Sequence, residues 1–183
     1  MRKSLALAVA AAMSTGLAAF VPVAANAGTS GSTPVTFDLT GGALSITAPS
    51  STATLTGGAL SVTGSTVSGA LGSTTVTDER GTLGHTDTVT MTTTDFSDGA
   101  GHTVAALNNA TAYSGVATPT GVAVPGATTA VTPVNIWGTG GAVLTLTSVV
   151  GSGGASYNPT VTVAIPAGSV AGTYAGTVTQ TVS

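Results

Sequence analysis

The feature that most constrains the fold is a two-residue alternation of apolar side chains with threonine. Val89 and Met91 alternate with threonines, and Val161 and Val163 do the same further along the chain. Successive side chains of a β-strand point to opposite faces, so this pattern predicts strands with one buried and one solvated face. The β-branched residues that dominate the chain also favour extended backbone over helix.

The alternation recurs at both ends of the chain. It predicts a strand at residues 35–40, with Val35, Phe37 and Leu39 on its apolar face, and a last strand at residues 174–182. Glycine and proline punctuate the chain every 8 to 16 residues, as expected for turns. Many short strands with closely spaced turns are typical of sandwiches and barrels. We therefore predict an all-β fold, an antiparallel Ig-like β-sandwich.

Three local patterns refine this prediction. Residues 39–47 recur almost unchanged at residues 55–63, with a weaker echo at residues 139–145. Such a repeat is too short for most solenoids, so we expect two similar strand–turn–strand pieces within one sandwich. The glycine- and proline-rich residues 114–133 predict a long loop crossing between sheets. Helix is expected to be absent or limited to one short turn near residues 167–171.

The N-terminus has the three parts of a secretory signal peptide. Arg2 and Lys3 are followed by a short apolar run and by small residues that end in an A-x-A sequence at Ala27. The apolar run is mostly alanine and is interrupted, so it suits a cleaved signal better than a spanning helix. We predict a signal peptide at residues 1–27, a flexible segment at 28–34 and one domain at 35–183 of a secreted, extracellular protein.

Charge and residue types exclude several function classes. Without the signal the chain keeps Arg80 as its single basic residue besides two histidines, against six acidic residues, a formal charge of −5. A basic surface for nucleic acid or anionic lipid is thereby excluded, and no second apolar stretch is long enough to span a membrane. Cysteine is absent, and no nucleophile motif surrounds His85 or His102. We predict no catalytic residues and no enzymatic activity.

Most of the ionisable residues lie within residues 78–102. Asp95 and Asp98 begin a glycine-rich turn there and are candidate oxygen ligands for Ca²⁺. Alternatively, both carboxylates accept hydrogen bonds from turn amides and bind no metal, so that the protein has no cofactor. Asp78-Glu79-Arg80 is expected to be a charged turn with an exposed local ion pair, which contributes about 0 to 1 kcal/mol.

Three aromatic residues are candidates for ligand binding. Trp137, Tyr113 and Tyr157 would suit a carbohydrate if they formed an exposed planar strip, although they lie far apart in sequence. The alternative is that Trp137 serves as a core or loop anchor, since tryptophan and tyrosine side chains are usually mostly buried.

Three segments resemble the WxL-type surface domains of Gram-positive bacteria. Residues 158–182 include a Gly-x-Tyr sequence ending at Tyr174, followed by an alternating strand, and residues 41–46 and 76–84 are also similar. The resemblance implies a secreted, β-rich domain that attaches non-covalently to peptidoglycan.

The Trp-x-Leu motifs that name this family are not retained. His85-Thr86-Asp87 stands near the position of one motif, and Gln180-Thr181-Val182 stands at the other. If the family's tryptophans carry wall binding, this chain lacks those groups. Gln180 alternates in phase with Val178, so we expect it to face the core near an open edge, where a polar side chain needs hydrogen-bond partners.

The leading hypothesis is therefore a structural, adhesion or wall-associated protein of the cell envelope, whose partners are cell-wall polymer or other surface proteins. The first alternative is a carbohydrate-binding module that uses the three aromatic residues. The second is a self-assembling surface subunit, because the predicted strands lack the lysines that commonly protect sheet edges from self-association.

Overall fold

The computed structural model describes residues 31–121, 127–129 and 132–183. The chain divides into two units, Met1–Phe37 and Asp38–Ser183. The predicted signal peptide at residues 1–27 lies outside the described residues, as do residues 28–30 of the predicted flexible segment. The described residues of the first unit, 31–37, contain no strand.

The second unit consists of short strands and two long ones. The described residues contain no helix, which confirms the prediction of an all-β fold. The strands are β1 (Leu44–Thr47), β2 (Thr56–Gly57), β3 (Ser65–Ala70), β4 (Thr74–Thr93), β5 (Phe96–Ser97), β6 (Thr103–Val104), β7 (Ala110–Tyr113), β8 (Thr118–Gly121), β9 (Ala127–Thr129), β10 (Val134–Asn135), β11 (Gly141–Tyr157), β12 (Thr160–Ile165) and β13 (Val178–Val182). Near residues 167–171 there is a turn, in which the Ser169 amide donates to the Pro166 carbonyl at 3.3 Å.

The long strands β4 and β11 organise the largest sheet. They pair antiparallel with each other, and the described sheet runs in the order β1-β4-β11-β8, with β13 also on β4 and β9 also on β11. β1 pairs with the first part of β4, from Thr75 to Asp78, whereas β13 pairs with its last part, from Val89 to Thr93. The sheet curls into a half-barrel, and the β4–β11 register shifts at four places.

A second antiparallel sheet runs in the order β10-β7-β12-β3-β2, and β5 and β6 form a small third sheet. Side chains from all three sheets contribute to one hydrophobic cluster. The predicted apolar faces are part of it, since Val89 and Met91 of β4 and Val161 and Val163 of β12 are at most 2% exposed. The threonine positions between them lie on the outer faces and are only partly buried.

Three local predictions are wrong. Residues 35–40 form no strand, and Phe37 is 85% exposed, because alternation produces a strand only where another strand supplies hydrogen bonds. The repeated sequence takes two structures: the first copy has β1 at its end, whereas the second has the two-residue β2 near its start and leaves Val62 94% exposed outside any strand. Residues 114–133 are not simply a loop, since β8 and β9 lie there and pair with β11.

No helix of the described chain has the length and apolarity to cross a membrane.

Candidate functional site

A bend in β4 brings together two carboxylates that are distant in sequence. Asp78 and Asp87 are nine residues apart, and a straight strand would separate them by roughly 30 Å. In the structure both accept hydrogen bonds from the side chain of Arg80. Gly81 and Gly84 lie between them with φ of 70° and 62°, a left-handed conformation that glycine adopts at little cost. The bend therefore creates the site.

Arg80 connects the two carboxylates. Its backbone amide and its Nε both donate to Asp78 Oδ1 at 2.9 Å, and its Nη2 donates to Asp78 Oδ2 at 3.2 Å. The same Nη2 donates to Asp87 Oδ1. Charge-assisted bonds of this kind are shorter and stronger than those between neutral groups. Arg80 thus fixes the orientation of both carboxylates.

His85 closes the cluster on its partly exposed side. Its Nε2 lies 2.5 Å from Asp78 Oδ2 and 3.5 Å from Asp87 Oδ2, and its Nδ1 lies 2.9 Å from the Thr82 hydroxyl oxygen. An ionised carboxylate can only accept a hydrogen bond, so His85 Nε2 carries a hydrogen and donates it in a hydrogen bond to Asp78 Oδ2. In the neutral ring the Thr82 hydroxyl then donates to Nδ1. The ring is held by contacts at both nitrogens.

The cluster is buried, contrary to the prediction of an exposed ion pair. Asp78 is 0% and Asp87 is 1% exposed, while the side chains of Arg80 and His85 are 36% and 20% exposed. Burial alone raises the pKa of Asp78, but hydrogen bonds from Arg80 and His85 outweigh it and lower that pKa to about 2. The bond to Asp78 in turn raises the pKa of Arg80. Removing one partner of a buried pair leaves an uncompensated charge, so this cluster is structurally important.

One oxygen of the cluster lacks a hydrogen-bond donor. Asp87 Oδ2 is buried and accepts no hydrogen bond, while the other oxygen of the same carboxylate binds Arg80. Buried polar atoms are normally satisfied, and an exception in a native structure calls for a physical explanation such as a missing water or ion. One ligand atom each from Asp78, His85 and Asp87 lie within 4.8 Å of one another. The arrangement has the dimensions of a small cation site.

The sequence contained a signal for this cluster that the exposed-turn interpretation missed. Asp78 is two residues after the buried Val76, and Asp87 is two residues before the buried Val89. Both aspartates therefore occupy inward-facing positions of the same alternation that predicts the strands. A carboxylate at such a position requires a buried partner, and Arg80 is the single arginine or lysine after residue 3.

The predicted calcium ligands Asp95 and Asp98 are used as turn caps. Asp95 Oδ1 accepts from the Ala106 amide at 2.8 Å, which ties the turn to the chain eleven residues later. Asp98 Oδ1 accepts from the Ala100 amide at 2.8 Å, and its Oδ2 lies 2.6 Å from His102 Nδ1. The His102 contact and the backbone bonds lower the pKa of Asp98. These contacts match the alternative prediction, in which both carboxylates serve the turn.

The three aromatic candidates do not form one surface. Tyr157 is 3% exposed and belongs to the core, so its assignment to an exposed strip is wrong. It lies at an inward-facing position of β11, which the sequence around it does not reveal. Trp137 is 45% exposed, in the loop after β10. Tyr113 is half-buried at the opposite end of the short β7–β10 pairing. Trp137 alone of the three remains a candidate for contact with a ligand.

Gln180 faces inward and has the partners that its position requires. The Tyr157 hydroxyl donates to Gln180 Oε1 at 2.6 Å, and Gln180 Nε2 donates to the Thr74 hydroxyl at 3.1 Å. This network joins β13 to the adjoining ends of β4 and β11. Burial raises the pKa of Tyr157 far above its usual value, so the phenol stays protonated and remains a donor.

Comparison with known proteins does not add a family or a relative. No protein-family model matches the chain, and a search of curated proteins finds no significant match. The site therefore has to be interpreted from its own geometry.

Proposed function

We propose that this protein is a secreted, non-enzymatic component of a Gram-positive cell envelope. In this proposal a WxL-like, Ig-like β-sandwich binds cell-wall polymer or other surface proteins through its outer faces. The role is structural or adhesive. Two sheets that share one hydrophobic cluster support the sandwich assignment, because facing sheets of a sandwich enclose their core in this way.

The observation that carries the proposal is how the ionisable side chains are used. The buried Asp78 and Asp87 both accept hydrogen bonds from Arg80, and Asp95 and Asp98 accept from backbone amides. Groups engaged in this way stabilise the fold and are not free to act on a substrate. What the described surface offers instead is threonine-rich strand faces and exposed apolar side chains. Such a surface suits binding by shape and area rather than by reactive groups.

Trp137 supports a second candidate function, carbohydrate binding. Its side chain is 45% exposed, and its loop is braced because the Trp137 amide donates to Asn135 Oδ1 at 2.8 Å. An aromatic face held in place in this way can stack on a sugar ring at low entropic cost. A single tryptophan provides a small contact area, so this candidate predicts weak binding of short glycans.

A sedimentation assay with purified Gram-positive cell walls tests the main proposal. The exported chain is mixed with excess wall, and the bound fraction is measured after centrifugation. We expect most of the protein to sediment with the wall. A protein that stays in the supernatant at every wall concentration would contradict the proposal. N-terminal sequencing of the exported protein should give Gly28 as its first residue.

Two matched variants separate the candidates. Trp137→Ala removes the exposed aromatic, and Tyr113→Ala removes the half-buried one at the other end of the β7–β10 pairing. If wall retention depends on broad surface contact, Trp137→Ala keeps it. If retention is lost in Trp137→Ala but not in Tyr113→Ala, glycan stacking is the better explanation. Quenching of tryptophan fluorescence by short wall glycans provides the independent measurement.

A further inference from the structure

We propose that Asp78, His85 and Asp87 form a binding site for a divalent first-row transition-metal ion, of which Zn²⁺ is the test case. This site is independent of the proposed wall binding, because Trp137 and the outer strand faces take no part in it. The ligands would be one oxygen from each carboxylate and Nε2 of the imidazole. The bend of β4 places all three at one point.

The unpaired oxygen is the first argument for a ligand. Asp87 is 1% exposed, its Oδ2 accepts no hydrogen bond, and that atom lies 3.5 Å from His85 Nε2. Leaving a buried carboxylate oxygen without a donor or a cation is costly. A metal ion bound by both atoms at ordinary distances of about 2.0–2.2 Å would hold them roughly 3.0–3.5 Å apart. The observed separation already matches this requirement.

The second argument is that the two oxygen atoms of each carboxylate have different neighbours. Oδ1 of Asp78 and Oδ1 of Asp87 both accept from Arg80, and the two Oδ2 atoms face His85, with Asp78 Oδ2 also accepting from Arg80 Nη2 at 3.2 Å. Residues that orient metal ligands from behind are typical of protein metal sites, and they raise affinity 10- to 100-fold. Arg80 fills this role. The Asp78 Oδ2 to His85 Nε2 distance of 2.5 Å would lengthen once the metal takes the place of this hydrogen bond and the ring proton moves to Nδ1.

The charge balance is compatible with a divalent ion. Two carboxylates and one guanidinium leave the cluster with a net charge of −1 when the imidazole is neutral. When a divalent cation takes the place of the proton at Nε2, that proton moves to Nδ1, where the Thr82 hydroxyl can accept its hydrogen bond, and the net charge becomes +1. The site therefore holds one uncompensated unit charge with or without the ion.

The ligand types select the class of metal. Imidazole nitrogen with carboxylate oxygen suits Zn²⁺ and its first-row neighbours. Calcium prefers six to eight oxygen ligands, and two carboxylates with one imidazole do not supply them. The side chain of His85 is 20% exposed, so an ion can enter from that side and complete its coordination with water. The predicted Ca²⁺ site at Asp95 and Asp98 is a different place with different chemistry.

Isothermal titration of the purified, chelator-treated chain with ZnCl₂ tests the proposal. We expect one saturable site in the unmodified protein. His85→Gln removes the nitrogen ligand at a partly exposed position and should weaken binding at least tenfold. His102→Gln is the matched control, because His102 pairs with Asp98 in an exposed turn. It should bind as the unmodified protein does. Far-UV circular dichroism checks that each variant is folded.

Thermal unfolding provides a second readout. Zn²⁺ at 100 times its dissociation constant should raise the Tm of the unmodified chain by about 5–10 °C and leave that of folded His85→Gln nearly unchanged. Absence of saturable heat up to millimolar Zn²⁺ would overturn the proposal. Binding that survives in His85→Gln but disappears in His102→Gln would also overturn it, because the ion would then occupy the turn at Asp98.

Discussion

The pKa of Asp78 makes acid destabilisation of this protein calculable. The carboxyl has an ordinary value of 3.8 and is held at about 2 in the folded chain by Arg80 and His85. A lowered pKa contributes stability that is present above the unfolded value and is lost as pH falls through the folded value. The difference corresponds to about 2.4 kcal/mol, of which about 2 kcal/mol should be lost between pH 6 and pH 2.

Urea unfolding at pH 6 and pH 2, with a chelator present, measures this contribution in the unmodified chain and in Asp78→Asn. Asparagine does not titrate, so the free energy of unfolding of Asp78→Asn should fall by about 2 kcal/mol less between the two pH values. This difference corresponds to roughly 1 M in the urea midpoint. Carboxylates outside the cluster titrate in both proteins and cancel in the comparison. Glu79→Gln, at the adjacent exposed position, should lose as much as the unmodified chain. Equal losses in Asp78→Asn and the unmodified chain would refute the reasoning.

Two further variants probe the packing of the sheet. Tyr157→Phe removes the donor to Gln180 Oε1 and should cost about 1–3 kcal/mol in urea unfolding, because a half-buried oxygen is left unpaired. A cost below 0.3 kcal/mol would mean that water replaces the hydroxyl. Ile46→Ala should cost about 1–2 kcal/mol, whereas Val62→Ala at the equivalent repeat position should change stability by less than about 0.5 kcal/mol. Equal costs would show that both copies pack alike.

The cluster at the bend explains why the sequence led to a different expectation for Asp78 and Arg80. A three-residue charged segment followed by a glycine resembles an exposed turn, and exposed pairs contribute little to stability. The structure places these residues inside a long paired strand, where the same ion pair is desolvated. The local sequence was identical in both interpretations. The position of the neighbouring strand β11 decided between them.

The repeat demonstrates the same limit with an internal control. Residues 39–47 and 55–63 are nearly identical, so their intrinsic preferences for strand are nearly equal. Ile46 lies in β1, which pairs with β4, whereas Val62 is exposed in irregular structure. Strand propensity is a weak preference that tertiary contacts override. The nearly identical segments diverge because they meet partner strands at different positions: β4 pairs with the end of the first copy, whereas β3 pairs with Thr56–Gly57 near the start of the second.

The sequence by itself determined the fold class and much of the core. Alternation is a property of neighbouring residues, and it located the buried faces around Val89 and Val161 because side-chain direction in a strand follows directly from backbone geometry. The sequence also places most of the ionisable residues within residues 78–102. Tertiary structure alone decided which strands pair, where β4 bends and which carboxylates meet. Those features depend on hydrogen bonds between residues distant along the chain, and a two-residue alternation carries no information about them.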